Sequence, residues 1–188
     1  CRLTAWRSAR VMSTGMAGWQ EIDQAVRAFF SSGNDKLALL HCVSDYPADP
    51  ININLNFIPT LAKAYPLPVG FSDHTLQIGT AIAAVALGAR IIEKHITLDR
   101  NSVGPDHHYA LEPAEFVQMG LNLRVVEEAL GKPWKILTKS EQEKSSIYWR
   151  SLHLANDLPA GHTIQSSDLK VIRPNDGLSP QLLDDIVG

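Results

Sequence analysis

The chain has 188 residues, 45% hydrophobic and 20% charged, enough for one large or two small domains of ordinary globular composition. Net charge is −3 with Lys and Arg dispersed, which gives no electrostatic footprint for nucleic acid. No apolar run reaches the roughly 18 residues that span a bilayer, so neither a nucleic-acid nor a membrane partner is expected.

The start is unusual. Residues 1–10 open on Cys1, carry three Arg and a Trp, and show no apolar period. They match neither a signal peptide nor an opening strand, so the sequence reads as a fragment whose true beginning is missing. Cys1 and Cys42 lack C-x-x-C spacing, and Cys42, within an apolar run, reads as a buried free thiol in a reducing cytoplasm.

Residues 11–16 (VMSTGM) form a strand candidate that ends in hydroxyls. Gly18 and Glu21 suit the N-cap and N3 positions of a helix with Ile22, Val26, Phe29 and Phe30 on one stripe. The run 37–43 (LALLHCV) is continuous and apolar, the pattern of a strand buried on both faces. Within it His41 reads as a satisfied core histidine, and the exit, Ser44-Asp45-Tyr46-Pro47, is polar. A loop rich in Pro and Asn leads to a second helical stripe of Leu55, Ile58, Leu61, Ala62 and Tyr65.

Two strand-like runs follow, over 67–71 and 89–92, each ending in a polar cluster: Ser72-Asp73-His74-Thr75 and Glu93-Lys94-His95. Side chains alternate along a strand, so Ser72 and His74 share a face, as do Glu93 and His95. Between them, residues 76–87 give three helical turns stopped by Gly88. Strand, helix and strand at that spacing predict parallel neighbours, with both polar clusters at their carboxyl ends. A last helix over Pro113–Leu130 has Pro in its first turn, Phe116, Met119, Leu123, Val126 and Leu130 on one face, and Gly131 beyond it.

The β-α pattern thus occurs four times between residues 11 and 130. The fold expected over 1–131 is α/β, the C-terminal half of a (β/α)₈ barrel, with sheet edges left unpaired. Residues 132–147 are charged and polar and read as a linker. From 148 to 188, short apolar runs alternate with turn signals such as Pro174-Asn175-Asp176-Gly177, which predicts a small β-rich domain, cut short at its end. The sequence is therefore expected to be truncated at both ends. Trp134 and Trp149, beside the linker, read as packing anchors.

The polar residues of interest all stand at strand exits: Ser13, Ser44, Tyr46, Ser72, His74, Glu93 and His95. Two imidazoles at matching strand ends, with a carboxylate two residues away, suit a divalent metal with open positions that could polarise a carbonyl oxygen. Asp106 follows a turn that would fold it over the same mouth. His107 and His108 are adjacent, would face apart if extended, and are not expected to bind metal.

At this point the runs STGM, LLHCVSDYP, VGFSDHTL, ALGARIIEKHITLDR and GPDHHYAL, with RSLHLANDLPAGHTI and DLKVIRP further on, resemble the sialic acid (N-acetylneuraminate) synthase family. The resemblance covers nearly all of the chain from Val11 onward. It implies a (β/α)₈ barrel joined to an antifreeze-like (SAF) domain. It also implies condensation of phosphoenolpyruvate with N-acetylmannosamine, a related hexosamine or its 6-phosphate, to a nine-carbon 2-keto acid and phosphate. His74 and His95 match metal ligands, with Mn²⁺ the typical ion. Ser13, Ser44 and Ser72 match positions that hold phosphoenolpyruvate, and Glu93 matches an acidic residue beside the reacting carbons. Tyr46 and Asp106 match sugar-contacting positions, and Arg173 matches an arginine that the SAF domain lends to a partner's barrel in a domain-swapped homodimer. Gln77 and Asn175 stand where the family has Gly, and the family's phosphate-gripping lysines fall outside the sequence.

Alternatives of two classes stay open. A related enzyme would make legionaminate or pseudaminate, or an N-acylneuraminate 9-phosphate. A protein of another class would be an inactive fragment that retains only metal or carbohydrate binding. Retention of Glu93 beside both histidines favours an enzyme, since a pure binder has no need of it.

Overall fold

Four short parallel strands, β1 (Arg10–Ser13), β2 (Leu37–Cys42), β3 (Val69–Asp73) and β4 (Ile92–Lys94), lie side by side in chain order. Helices α1 (Trp19–Ser31), α2 (Phe57–Ala64) and α3 (Gly79–Ala86) make the crossovers, and α4 (Pro113–Leu130) follows the last strand. Parallel neighbours joined through helices, with no strand out of order, form half of a (β/α)₈ barrel. The computed structural model describes residues 8–188, so residues 1–7 of the Arg-bearing start lie outside the described residues. The chain divides into two compact units, 1–131 and 132–188.

The strand register sorts the side chains into two sets. Ser13 pairs with Leu40, Leu40 with Gly70, Cys42 with Ser72, and Ser72 with Glu93, all on one face. Met12 pairs with Leu39, His41 with Phe71, Phe71 with Ile92, and Asp73 with Lys94, on the other. The second face meets the helices. Leu39 and Phe71 pack there with Ile22 and Val26 of α1 and Ile58 and Leu61 of α2. Leu39, Phe71, Ile58 and Leu61 are completely buried, and burial of such a side chain stabilises by about 1.5–3 kcal/mol. A second cluster of Ala81, Leu111 and Met119 joins α3 to α4, and Ile92 packs against both clusters.

The last strand sits later than its pattern suggested. Ala89 spends its N–H on the Ala84 carbonyl at the end of α3. Pairing with β3 then begins where Arg90 donates to the Val69 carbonyl at 2.7 Å and Phe71 to the Ile91 carbonyl at 2.8 Å. Glu93 therefore lies within the strand and not beyond it. Close approach here depends on Gly70, where a Cβ would stand 2.4 Å from the Ile91 carbonyl oxygen and 2.6 Å from Leu40 Cδ2. Helix α4 has the predicted bounds, with Pro113 in its first turn and a Glu112–Glu115 capping box. Its apolar face is only partly covered: Met119 is buried, while Phe116 and Leu130 are exposed.

In the second unit, helix α5 (Lys139–Tyr148) precedes an antiparallel pair, β5 (Ser151–Leu154) and β6 (Leu169–Ile172), and a short helix α6 (Leu183–Ile186) ends the chain. The stretch 132–147 expected as a linker thus holds most of a helix. Its signal was the capping box Thr138-x-x-Glu141: Thr138 Oγ1 accepts from the Glu141 N–H at 3.1 Å, and Glu141 accepts from the Thr138 N–H at 2.8 Å. Trp134 and Trp149, expected as packing anchors, are both more than half exposed, and Lys132 Nζ lies over the Trp134 ring. Among the described residues no helix is long and apolar enough to cross a membrane.

Candidate active site

The pairing of Ser72 with Glu93 sets the centre of the site. Ser72 Oγ donates to Glu93 Oε1 at 2.6 Å across the two registered strands. His74, one residue beyond β3, places its ring in the same mouth. Its Nδ1 lies 2.8 Å from the Val43 carbonyl. A carbonyl can only accept, so in the neutral ring Nδ1 carries the proton and Nε2 presents a lone pair. Ser72 Oγ is 3.4 Å from that Nε2, but its proton is committed to Glu93.

His95, one residue beyond β4, brings its ring centroid to 5.3 Å from that of His74. Burial pushes the His95 pKa below the ordinary imidazole value, and His74 adds to the effect. Asp106 and Glu93 act in the opposite sense. The net direction favours the neutral ring, the form that ligates metals. Tyr46 is half exposed and lies over the mouth, with its ring 4.2 Å from His74 and 6.0 Å from His95.

Asp106 folds back as the turn suggested. Its Oδ2 is 3.9 Å from His95 Nδ1, and its Oδ1 accepts the Tyr109 hydroxyl at 2.6 Å. Tyr109 is buried, packs edge-to-face on His95 at 4.9 Å, and has its pKa raised first by burial and then by Asp106. Sequence reasoning did not single it out. An aromatic three residues after Asp106, in a run headed for the core, was the available signal. His107 Nδ1 lies 2.7 Å from Thr97 Oγ1, which ties it to the loop and not to the site.

The two other serines occupy neighbouring strand exits. Ser13 Oγ accepts weakly from the Gly15 N–H at 3.4 Å. Ser44 Oγ is 4.0 Å from Cys42 Sγ, which is in turn 3.9 Å from His74 Nδ1. Gly15 leaves room for this arrangement, since a Cβ there would be 2.2 Å from Ser44 Oγ. Arg173 belongs to the second unit, where its Nε donates to the Tyr148 carbonyl at 2.7 Å and its guanidinium lies over the Tyr148 ring. The structure thus brings Tyr46, Ser72, His74, Glu93, His95 and Asp106 together, and links Ser44 to them through Cys42. His41 faces the helices instead. Its Nε2 meets the Ile53 carbonyl at 2.6 Å, but its buried Nδ1 has no partner among the described residues, so it is only half satisfied there.

Among the described residues no group of three or more His, Cys, Asp and Glu is arranged to hold a metal ion. The donors on offer are two imidazoles, one with its Nδ1–H fixed by a carbonyl and the other kept neutral by burial. That donor set fits a divalent ion that keeps open positions for ligands from elsewhere.

Polar side chains converging at the carboxyl ends of parallel barrel strands define a barrel enzyme site. The chain belongs to the NeuB family, whose model matches residues 3–135, and a SAF domain matches residues 150–188. The chain is 39% identical over 180 residues to an N,N'-diacetyllegionaminic acid synthase of Campylobacter jejuni, covering 95% of this chain and 54% of that protein. It is 35% identical over 181 residues to the human N-acetylneuraminate-9-phosphate synthase, covering 95% and 50%. A crystal structure of a sialic acid synthetase from Leptospira borgpetersenii superposes with a TM-score of 0.67 at 39% identity, over 72% of this chain and 47% of that one. The chain spans about half the length of the curated relatives it matches.

Proposed function

We propose that this chain provides the metal-binding residues and part of the substrate-binding residues of a sugar-acid synthase. The reaction is condensation of phosphoenolpyruvate with N-acetylmannosamine or a related hexosamine, giving a nine-carbon 2-keto acid and phosphate. The observation that carries this reading is the meeting of Ser72, His74, Glu93 and His95 at adjacent strand ends, in a chain similar to such synthases over 95% of its length.

In this reading C3 of phosphoenolpyruvate attacks the open-chain aldehyde, water adds at C2, and phosphate leaves with C–O cleavage. A divalent ion such as Mn²⁺, held by His74 and His95, would supply Lewis acidity toward the aldehyde oxygen. Glu93, its carboxylate oriented by the Ser72 hydroxyl, takes up a proton or orients the water. Ser13 and Ser44 offer hydroxyl hydrogen bonds to phosphoenolpyruvate, and Ser72 would join them only by turning its hydroxyl from Glu93 to the ligand. Tyr46 supplies a flat face and Asp106 a carboxylate to the sugar, with Asp106 steadied by Tyr109. Arg173 acts from the second unit of a partner subunit in a two-fold dimer, where its planar fork suits a ligand rich in oxygens. The free, buried thiol of Cys42 supports a reducing cytoplasm as the compartment of the reaction.

The relatives are named for different sugar-acid products, and among them is a pseudaminic acid synthase of Campylobacter jejuni. Legionaminate, pseudaminate and 9-phosphate products are therefore the competing choices within the class. The test is an assay of the full-length protein with phosphoenolpyruvate, Mn²⁺ and each of N-acetylmannosamine, its 6-phosphate and diacetamido hexoses. Hexosamine-dependent phosphate release with a new 2-keto acid mass is expected for one of them. Metal and sugar binding with no phosphate release from any of them would favour a binding module.

A further inference from the structure

Each site residue on β3 and β4 has a neighbour that points the other way. Asp73 lies between Ser72 and His74, Lys94 lies between Glu93 and His95, and the two are registered partners. Their side chains are 0% and 1% exposed and meet at 3.0 Å. Among the described residues their further polar contacts go to the loop 74–78 and to the first turn of α3. Asp73 accepts the Thr75 N–H at 2.9 Å on Oδ1 and the Thr80 hydroxyl at 2.9 Å on Oδ2. Lys94 Nζ donates to the Thr75 carbonyl, to Thr75 Oγ1 at 3.4 Å and to the Gln77 carbonyl at 3.2 Å. The Thr75 and Thr80 hydroxyls are 2.7 Å apart, and Thr75 Oγ1 also donates to the Gln77 carbonyl at 3.0 Å.

Burying two charges costs about as much in lost hydration as their attraction returns, so such a pair is a weak source of net stability. What it fixes is direction. The ammonium has three acceptors in one loop, and the carboxylate has one donor in that loop, the Thr75 N–H, and one at the start of α3, the Thr80 hydroxyl. The first residue of that loop is His74, and the lysine's own neighbour is His95.

We propose that the Asp73–Lys94 pair is the positioning device of the site: from behind the sheet it holds the loop that carries His74 and the strand end that carries His95, and so sets the spacing of the two imidazoles. This deepens the metal-site reading given above, but the geometry it describes does not depend on a metal.

The test compares the parent chain with the double variant Asp73→Asn/Lys94→Met, which removes both charges at nearly constant volume, so the packed core is retained. Amides 74–80 should exchange at least about 10-fold faster, the loss of one or two hydrogen bonds, with protection in β2 and α2 unchanged. The His74 Nδ1–H resonance, sharp while bonded to the Val43 carbonyl, should broaden or vanish. Mn²⁺ added alone should bind about 10-fold more weakly. Parent-like exchange in 74–80, with the resonance and Mn²⁺ affinity intact, overturns the proposal. Thr80→Val keeps both charges and guards against a double variant that does not fold. It should speed exchange of the Thr75 amide, and no change there overturns the proposal as well. A parent that binds no Mn²⁺ defeats the metal reading, while the exchange and imidazole signals still decide the positioning role.

Discussion

The two faces of the four-stranded sheet use alternate residues of the same short motifs for different ends. On the helix side, Leu39, Phe71 and Ile92 pack with Ile22, Ile58 and Leu61. On the mouth side, Ser72 holds Glu93, and His74 approaches His95. Because a strand's side chains alternate with period two, residues adjacent in sequence such as Phe71 and Ser72 are separated by the thickness of the sheet. Stability and chemistry can then be damaged independently, and substitutions on the two faces should show it.

The largest effect belongs to the helix face. Phe71→Ala empties a fully buried site between α1, α2 and the sheet, and should cost about 3–5 kcal/mol in denaturant unfolding. A loss below 1 kcal/mol would mean that this face is not the core. On the mouth face, Glu93→Gln in the full-length protein keeps the shape and the Ser72 contact but removes the proton-accepting carboxylate. It should lower kcat roughly 10²-fold, about 2.7 kcal/mol, while the Mn²⁺ titration and the unfolding midpoint stay near those of the parent. A parallel loss of metal affinity would move Glu93 among the metal's ligands.

A smaller effect comes from His41, a polar residue on the helix face. Burial lowers its pKa below 6.5, so the unfolded chain takes up this proton at a higher pH than the folded chain does. Stability from His41 is full above about pH 6.5 and is lost as pH falls from there through the folded value. In that window it contributes a slope of up to about 1.4 kcal/mol per pH unit. His41→Gln keeps a donor for the Ile53 carbonyl and should flatten the slope, as read from urea midpoints between pH 7 and 5. An unchanged slope would assign the pH dependence to other groups, His95 first among them.

The smallest effect lies outside the sheet. Glu141 accepts from Lys135 and from the Thr138 N–H, which pull its pKa from 4.5 to about 2. Its contribution to capping α5 is present above about pH 4.5 and lost as pH falls through about 2. Carboxyl ¹³C shifts should titrate with a midpoint near 2, and one near 4.5 would show the cap open.

Much of this division was legible in the sequence. The alternation in Ser72-Asp73-His74 and Glu93-Lys94-His95 separates site from support, and the stripes of α1 and α2 mark what covers the far side. The parts that were missed depend on contacts between distant residues. Nothing in a one-dimensional pattern tells that Asp73 and Lys94 are registered partners, because register is fixed by pairing across the sheet. Tyr109 was overlooked because its hydroxyl gains a role only when the loop returns Asp106 toward His95. The helix α5 was hidden by its charge, although Thr138 and Glu141 carry a start signal.

The claim that ties the faces together is that His74 and His95 form a metal site whose loss leaves the fold standing. The direct measurement is a Mn²⁺ titration, followed by electron paramagnetic resonance of the free ion, on the parent, His74→Ala and His95→Ala, with thermal unfolding of each sample alongside. Both variants are expected to lose most of the Mn²⁺ affinity and to keep the parent's cooperative unfolding, while His107→Ala binds as the parent does. If His74→Ala and His95→Ala titrate like the parent, the mouth of this sheet is not a two-histidine metal site.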